Sequence, residues 1–194
     1  PSPIPSQAYK EGPLMVYEDP VPNGDYVMGV DVAEGLLLDC SVIEVLRIDE
    51  NGYRQVAEWV SDTIAPDQLA YEVQRVGLRY NNALAVVERN NHGLTTLSHL
   101  KHIYSPVRLY RQRRWGTRDY HDPSGELLGM RTTSSTKPKM IDDLYLQLRN
   151  GLIYYSLQLH DEFMTFVETR SEHGNILLGA QQGCRDDRVM ALAL

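Results

Sequence analysis

Cysteine is scarce: the 194 residues hold two, Cys40 and Cys184. That is too few for a disulfide framework and points to a reducing compartment, with each expected as a buried free thiol. Tryptophan and phenylalanine number two each, which leaves little to stack on sugars and weighs against a carboxylate pair built for glycosides. No apolar run approaches the 18 or so residues of a membrane-spanning helix. The opening PSPIPSQAYK has no apolar core segment, so it does not read as a signal peptide. Two motifs are missing as well. Without Gly-x-x-x-x-Gly-Lys-Ser/Thr there is no P-loop, and without Gly-x-Ser-x-Gly there is no nucleophile elbow. Neither cysteine has a partner at C-x₂-C spacing, and His99 and His102 form a lone pair on an expected surface helix, so zinc is disfavoured.

What is present is ordinary in bulk and uneven in distribution. Hydrophobic residues at 42% and charged residues at 23% exclude collagen, coiled coil and wholesale disorder. The length suits one domain, or one domain with an arm. Net charge is −7, yet the stretch from Arg89 to Lys139 carries ten Lys or Arg against three acids. Such asymmetry suits a protein that meets a polyanion, although a basic run alone reads first as a solvated face. Six of the ten prolines fall in residues 1–25, which therefore read as an extended arm or linker from a preceding domain, leaving 26–194 as the folded unit. Starting at Pro1, the chain is expected to be cut from something longer.

The apolar pattern predicts strands over Tyr26–Val32, Ser41–Ile48 and Tyr53–Ile64, the last two joined by the hairpin signal Asn51-Gly52. A helix follows from Pro66 to Tyr80, then a strand over Ala83–Glu88, a helix over Gly93–Lys101 and a short strand over Val107–Tyr110. Arg111–Arg131 has no clear period and reads as a loop or protruding hairpin. Helices are expected over Lys137–Arg149, ended by Gly151, over Leu157–Val167, capped by Ser156, and from Arg185 onward. Ile176–Ala180 reads as a strand. Antiparallel strands followed by alternating units give an α/β fold, a mixed sheet flanked by helices.

Four acids stand out. Asp31 ends the apolar strand of TyrValMetGlyValAspVal and Glu88 ends AlaLeuAlaValValGlu, where a buried carboxylate is costly unless paired, protonated or bound to a cation. Asp186 and Asp187 adjoin an apolar helical run, a position equally suited to helix capping. Strand-end acids on two strands with an acidic pair on a distant helix make an all-oxygen ligand set, the kind that Mg²⁺ and Mn²⁺ prefer.

In order, GlyValAspValAlaGluGly (29–35), AlaValValGluArgAsnAsnHisGly (85–93) and AspAspArgValMetAlaLeuAla (186–193) resemble the nuclease domain of the large terminase subunit of tailed bacteriophages. The resemblance runs from about Asp25 to the end and implies an RNase H-like fold close to RuvC-type resolvases. It implies an endonuclease that cuts double-stranded, concatemeric phage DNA during genome packaging in the host cytoplasm. Its partners would be an ATPase domain in the same full-length protein, the portal and the small terminase subunit. It makes Asp31, Glu88 and at least one of Asp186 and Asp187 the ligands of Mg²⁺ or Mn²⁺, two ions about 3.5–4 Å apart in a two-metal hydrolysis. After Gly35 the sequence LeuLeuLeuAspCysSer departs from the more polar turn expected, which leaves Asp39 without an assigned role.

On that reading the basic stretch contacts DNA. Arg108, Arg111, Arg113, Arg114 and Arg118, in or beside the expected loop, and Lys137 and Lys139 at a helix start are candidate phosphate ligands. Trp115 is as well suited to packing at a hairpin base as to DNA. Two other readings stay open: a DNA-binding or docking module of a packaging motor with little activity alone, and a RuvC-type junction resolvase.

Overall fold

The computed structural model describes residues 1–34, 39–112, 128–170 and 176–194. Six strands form one sheet: β1 (Tyr9–Glu11), β2 (Leu14–Val16), β3 (Asp25–Asp31), β4 (Ser41–Asp49), β5 (Gly52–Ser61) and β6 (Leu84–Val87). Their order is β1-β2-β5-β4-β3-β6, antiparallel throughout except where β6 joins β3 in parallel. The β4–β5 hairpin closes at Asn51-Gly52, with Gly52 at φ +112°, a conformation that glycine adopts without steric cost. A parallel neighbour needs a crossover, supplied by α1 (Pro66–Arg79), which opens on a proline where a missing N–H costs nothing.

The remaining helices are α2 (Asn91–Ile103), α3 (Lys137–Arg149), α4 (Leu157–Thr165) and α5 (Asp187–Ala193). The sheet buries both faces. Met28, Val30 and Val87 face α1 and α2, packing with Leu69, Val73, Val76, Leu97 and Leu100. On the other side Leu46 packs with Met140, Ile141 and Leu144 of α3, Leu159 of α4 and Val189 and Met190 of α5. A six-stranded mixed sheet with helices on both faces is the RNase H-like arrangement the sequence leads one to expect.

Several local expectations differ from the structure. The stretch 1–25, expected as an arm or linker, instead folds back through turns and supplies β1 and β2 to the edge of the sheet, where Leu14 and Val16 are buried against the core. Over Val107–Tyr110 a 3₁₀ turn occupies Pro106–Arg108, because Pro106 sets φ and offers no N–H; pairing begins at Leu109, beside Ala85 of β6. The helix capped by Ser156 stops at Thr165, and the β-branched Val167 and Thr169 continue as β7 (Phe166–Arg170), paired with β8 (Ile176–Ala180). Cys40 is buried as expected, but Cys184 is exposed, in the polar turn ahead of α5. The chain leaves the sheet edge at Arg111 and returns at Leu128 and Gly129, so the base of the expected hairpin is paired; residues 113–127, including Arg113, Arg114, Trp115 and Arg118, lie outside the described residues.

One contact sets the height of α5 above the sheet. Gly29, in the middle of β3, has no side chain, and a Cβ there would overlap the carbonyl oxygen of Ala191. Helix and strand backbones therefore touch. Gly29→Ala is expected to lift α5 and destabilise the fold by about 1–3 kcal/mol, the usual cost of overpacking; urea denaturation measures it, and an unchanged midpoint would show that α5 is free to shift.

Candidate metal centre

Strand alternation determines which side chains share the α5 face. Along β3, Tyr26, Met28 and Val30 point to the α1–α2 core, so Val27, Gly29 and Asp31 point to α5. The parallel register pairs Val30 with Val87, and the next step in each strand brings Asp31 beside Glu88 on that same face. The Glu88 N–H donates to the Val30 carbonyl at 2.8 Å, holding this last step in line.

The result is a contact between two acids. The Asp31 and Glu88 carboxyls lie within hydrogen-bonding reach of each other, and the charge of Asp187 acts on Asp31 from across the gap. Burial first, and then Glu88 and Asp187, push the Asp31 carboxyl well above the usual carboxylate range. Two carboxylates cannot meet this way unless a proton or a cation lies between them. Asp187 is also raised, to about 6, chiefly by burial, with Glu162, Asp39 and Asp186 adding repulsion. The Cys40 backbone N–H, donating to Asp187 Oδ2 at 2.9 Å, pulls the other way.

Asn90 organises the near wall. It is the N-cap of α2, accepting from the Gly93 N–H at 2.7 Å, while its amide donates to Glu88 at 2.8 Å and to the Val32 carbonyl at 3.0 Å. A Cβ at Gly93 would overlap the Glu88 carbonyl, so the first turn of α2 sits directly on the backbone that carries Glu88. The sequence quotes Asn90 inside GluArgAsnAsnHisGly, yet its role comes from a cap geometry that only the fold reveals.

Asp186 stands apart from this group. Its carboxylate takes the Lys137 ammonium at 3.3 Å, and it makes no side-chain cap to α5. Lys137, expected to meet phosphate, is therefore occupied by an acid. Arg108, Arg111 and Lys139 are exposed. Asp39 is exposed, and its charge acts on Asp187. Among the described residues no three His, Cys, Asp or Glu side chains are already drawn into a cage for an ion. The donor set is nonetheless all carboxylate oxygen, and at its centre two acids are close enough to share a proton, the place a hard divalent cation takes over. The residues fit such an ion.

Behind Asp187 lies a second acidic cluster that the sequence reading missed. Glu44 of β4, Glu58 of β5 and Glu162 of α4 are all buried around Arg188 of α5. Glu44 accepts from the Gln55 amide at 2.7 Å and is pushed well above the carboxylate range by burial, with Glu58 adding repulsion. Glu44 interrupts an apolar strand just as Asp31 does, so the signal was there.

No protein-family model matches the chain. Solved structures do. The fold is that of phage large-terminase nuclease domains, of the RNase H-like class. The large terminase nuclease from thermophilic phage G20c superposes with a TM-score of 0.74 at 20% identity, over 99% of this chain and 91% of that one. The nuclease domain of the Thermus phage P74-26 large terminase gives 0.71 at 22% identity, over 98% and 88%. The g2p large terminase nuclease domain of bacteriophage SPP1, with bound Mn, gives 0.52 at 12% identity, over 87% and 83%. Among the described residues no helix is long and apolar enough to cross a membrane.

The raised acids have a consequence for stability. An unfolded chain releases the Asp187 proton near 3.8 and the folded chain near 6, so between those values the folded state holds more protons. The Asp187 contribution to the stability of the metal-free protein falls as pH rises through this window and levels off above it. Asp187→Asn, whose amide oxygen still accepts from Cys40, is expected to remove that share of the slope and raise metal-free stability at neutral pH. Urea midpoints from pH 4 to 7 test it; equal slopes in both proteins would contradict the raised value.

Proposed function

We propose that this chain is a divalent-metal-dependent endonuclease of the large-terminase type, cutting double-stranded concatemeric DNA during genome packaging by two-metal phosphodiester hydrolysis. The observation that carries the reading is the Asp31–Glu88 pair, aligned by strand register and facing Asp187, in a fold shared with solved phage terminase nucleases. Asp31, Glu88 and Asp187 would hold the ions, with Asp186 joining if Lys137 releases it. Bound there, Mg²⁺ or Mn²⁺ would lower the pKa of an attacking water and stabilise the leaving oxygen. The same terminase nuclease from phage G20c is also known with bound magnesium.

The protein's own groups have defined work in this scheme. Asp31, at the centre, is acted on by both flanking acids and would be the ligand common to the whole site. Asn90 keeps the Glu88 carboxylate oriented through its amide. The Cys40 N–H fixes one Asp187 oxygen and leaves the other for a ligand. Exposed Arg108, Arg111 and Lys139 would meet phosphates, giving affinity without reading sequence; Arg113, Arg114 and Arg118 are proposed for the same task from sequence. The ATPase domain of a full-length terminase, the portal and the small subunit are the partners this reading requires.

Plasmid DNA incubated with the protein is expected to be cut with Mn²⁺ or Mg²⁺ and to stay intact with EDTA. Asp31→Asn should lower the rate by about 10²-fold or more, as loss of a central transition-state electrostatic group does, with no loss of thermal stability. Wild-type cutting by a folded Asp31→Asn protein would refute the assignment.

A further inference from the structure

The proposed function asks Asp186 and Asp187 to face a ligand, yet Asp186 occupies the N-cap position of α5, where aspartate ordinarily caps, and Asp187 is the first residue of the helix. Something else must satisfy the first turn of α5. The N–H groups of Arg188 and Val189, the second and third residues of that helix, donate to one oxygen of Glu162, at 2.8 and 3.2 Å. These are the two donors that an N-cap side chain normally takes. Glu162 belongs to α4, and its other oxygen accepts from the Arg188 guanidinium at 2.8 Å. The same guanidinium reaches Glu58 of β5 at 3.2 Å. The first turn of α5 is thus tied to α4 and to the sheet, while Asp186, in the N-cap position, makes no cap of its own.

We propose that Glu162 is a positioning residue for the carboxylate site: it caps α5 from outside, which frees Asp187 and Asp186 to turn towards Asp31 and Lys137. The inference rests on the function proposed above. Without Glu162 the two N–H groups lose their acceptor, and Asp186, in the N-cap position of the same turn, is placed to take them. Capping by Asp186 would draw it off Lys137 and let the helix start rotate, carrying Asp187 away from Asp31. Positioning partners of this kind typically change metal affinity by about 10–100-fold.

The test compares variants of the whole chain by three measurements: Mn²⁺ affinity by calorimetry, thermal unfolding, and hydrogen exchange of the Arg188 and Val189 amides without metal. Glu162→Ala is expected to speed exchange at both amides and to weaken Mn²⁺ binding by at least about ten-fold. Glu162→Gln, which keeps an acceptor oxygen, should restore most of both. Val73→Ala, a buried change in α1 on the opposite face of the sheet, should lower the melting temperature as much without moving either readout. Should Glu162→Ala leave Arg188 stranded and the chain unfolded, Glu162→Ala with Arg188→Met replaces it, compared with Arg188→Met alone, which retains the cap. Wild-type exchange and Mn²⁺ affinity in the folded variant lacking Glu162 would overturn the proposal, as would equal weakening by Val73→Ala. If the wild-type protein itself neither binds Mn²⁺ nor cuts DNA, the functional reading fails; the exchange arm then decides the cap alone, with unchanged protection overturning it.

Discussion

The α5 face of the sheet gathers more negative charge than its own cations neutralise. Glu58 and Glu162 pair with the guanidinium of Arg188, with Glu44 beside them, while Asp31, Glu88 and Asp187 face one another in front; Lys137 pairs with Asp186 at the margin, and Arg185 donates to the Cys40 sulfur. Burying carboxylates is expensive, and the rise of Asp31, Glu44, Glu162 and Asp187 above their ordinary range registers that expense. The placement of Arg188 is informative. Arg188 serves the rear cluster of Glu58 and Glu162, where a lost charge would be trapped in the core. The front cluster of Asp31, Glu88 and Asp187 opens towards the ends of the strands and is left to protons. A cation arriving from solvent would relieve the front cluster without disturbing the rear one.

Backbone contacts give this arrangement its rigidity. Glycine at 29 lets α5 rest on β3, and glycine at 93 lets α2 rest on Glu88. Parallel pairing of β3 and β6 fixes Asp31 against Glu88, while Asn90 and the Cys40 N–H each hold one carboxylate from behind. Every acid in the front cluster is therefore fixed by a different element, and their mutual repulsion acts against packing that cannot easily yield.

Much of this was readable beforehand, for a physical reason. Strands β3, β4 and β6 are short apolar runs bounded by turns, and α3 carries a clean apolar face, so local pattern suffices for them. The acids Asp31 and Glu88 were conspicuous because a charge at the end of a buried run contradicts its surroundings. Glu162 was harder to see. It lies three residues after Leu159 on the apolar face of a helix rich in polar residues, and its partner Arg188 is 26 positions away. Likewise Asp186 and Asp187 fit capping equally well by sequence; the decision between capping and a ligand role depends on which acceptor reaches the first turn of α5, a tertiary fact. The edge strands β1 and β2 were hidden by proline, which signals extended backbone without saying whether a sheet receives it.

The acidity of the front cluster also bears on how DNA would be admitted. A phosphate brought to three carboxylates is repelled, and the exposed Arg108, Arg111 and Lys139 lie on elements beside the cluster rather than within it. Those cations could hold a duplex near the edge of β6 while the centre itself still rejected the scissile phosphate. Bound divalent ions would reverse the sign of the centre. By linkage, ions and DNA must then favour each other's binding to the same degree. A nuclease built in this way has a metal-free state that can bind DNA along its rim and cannot engage it at the centre. On the function proposed above, weak ion affinity, set by how firmly the carboxylates are held in place, would by itself keep DNA binding and cutting separate.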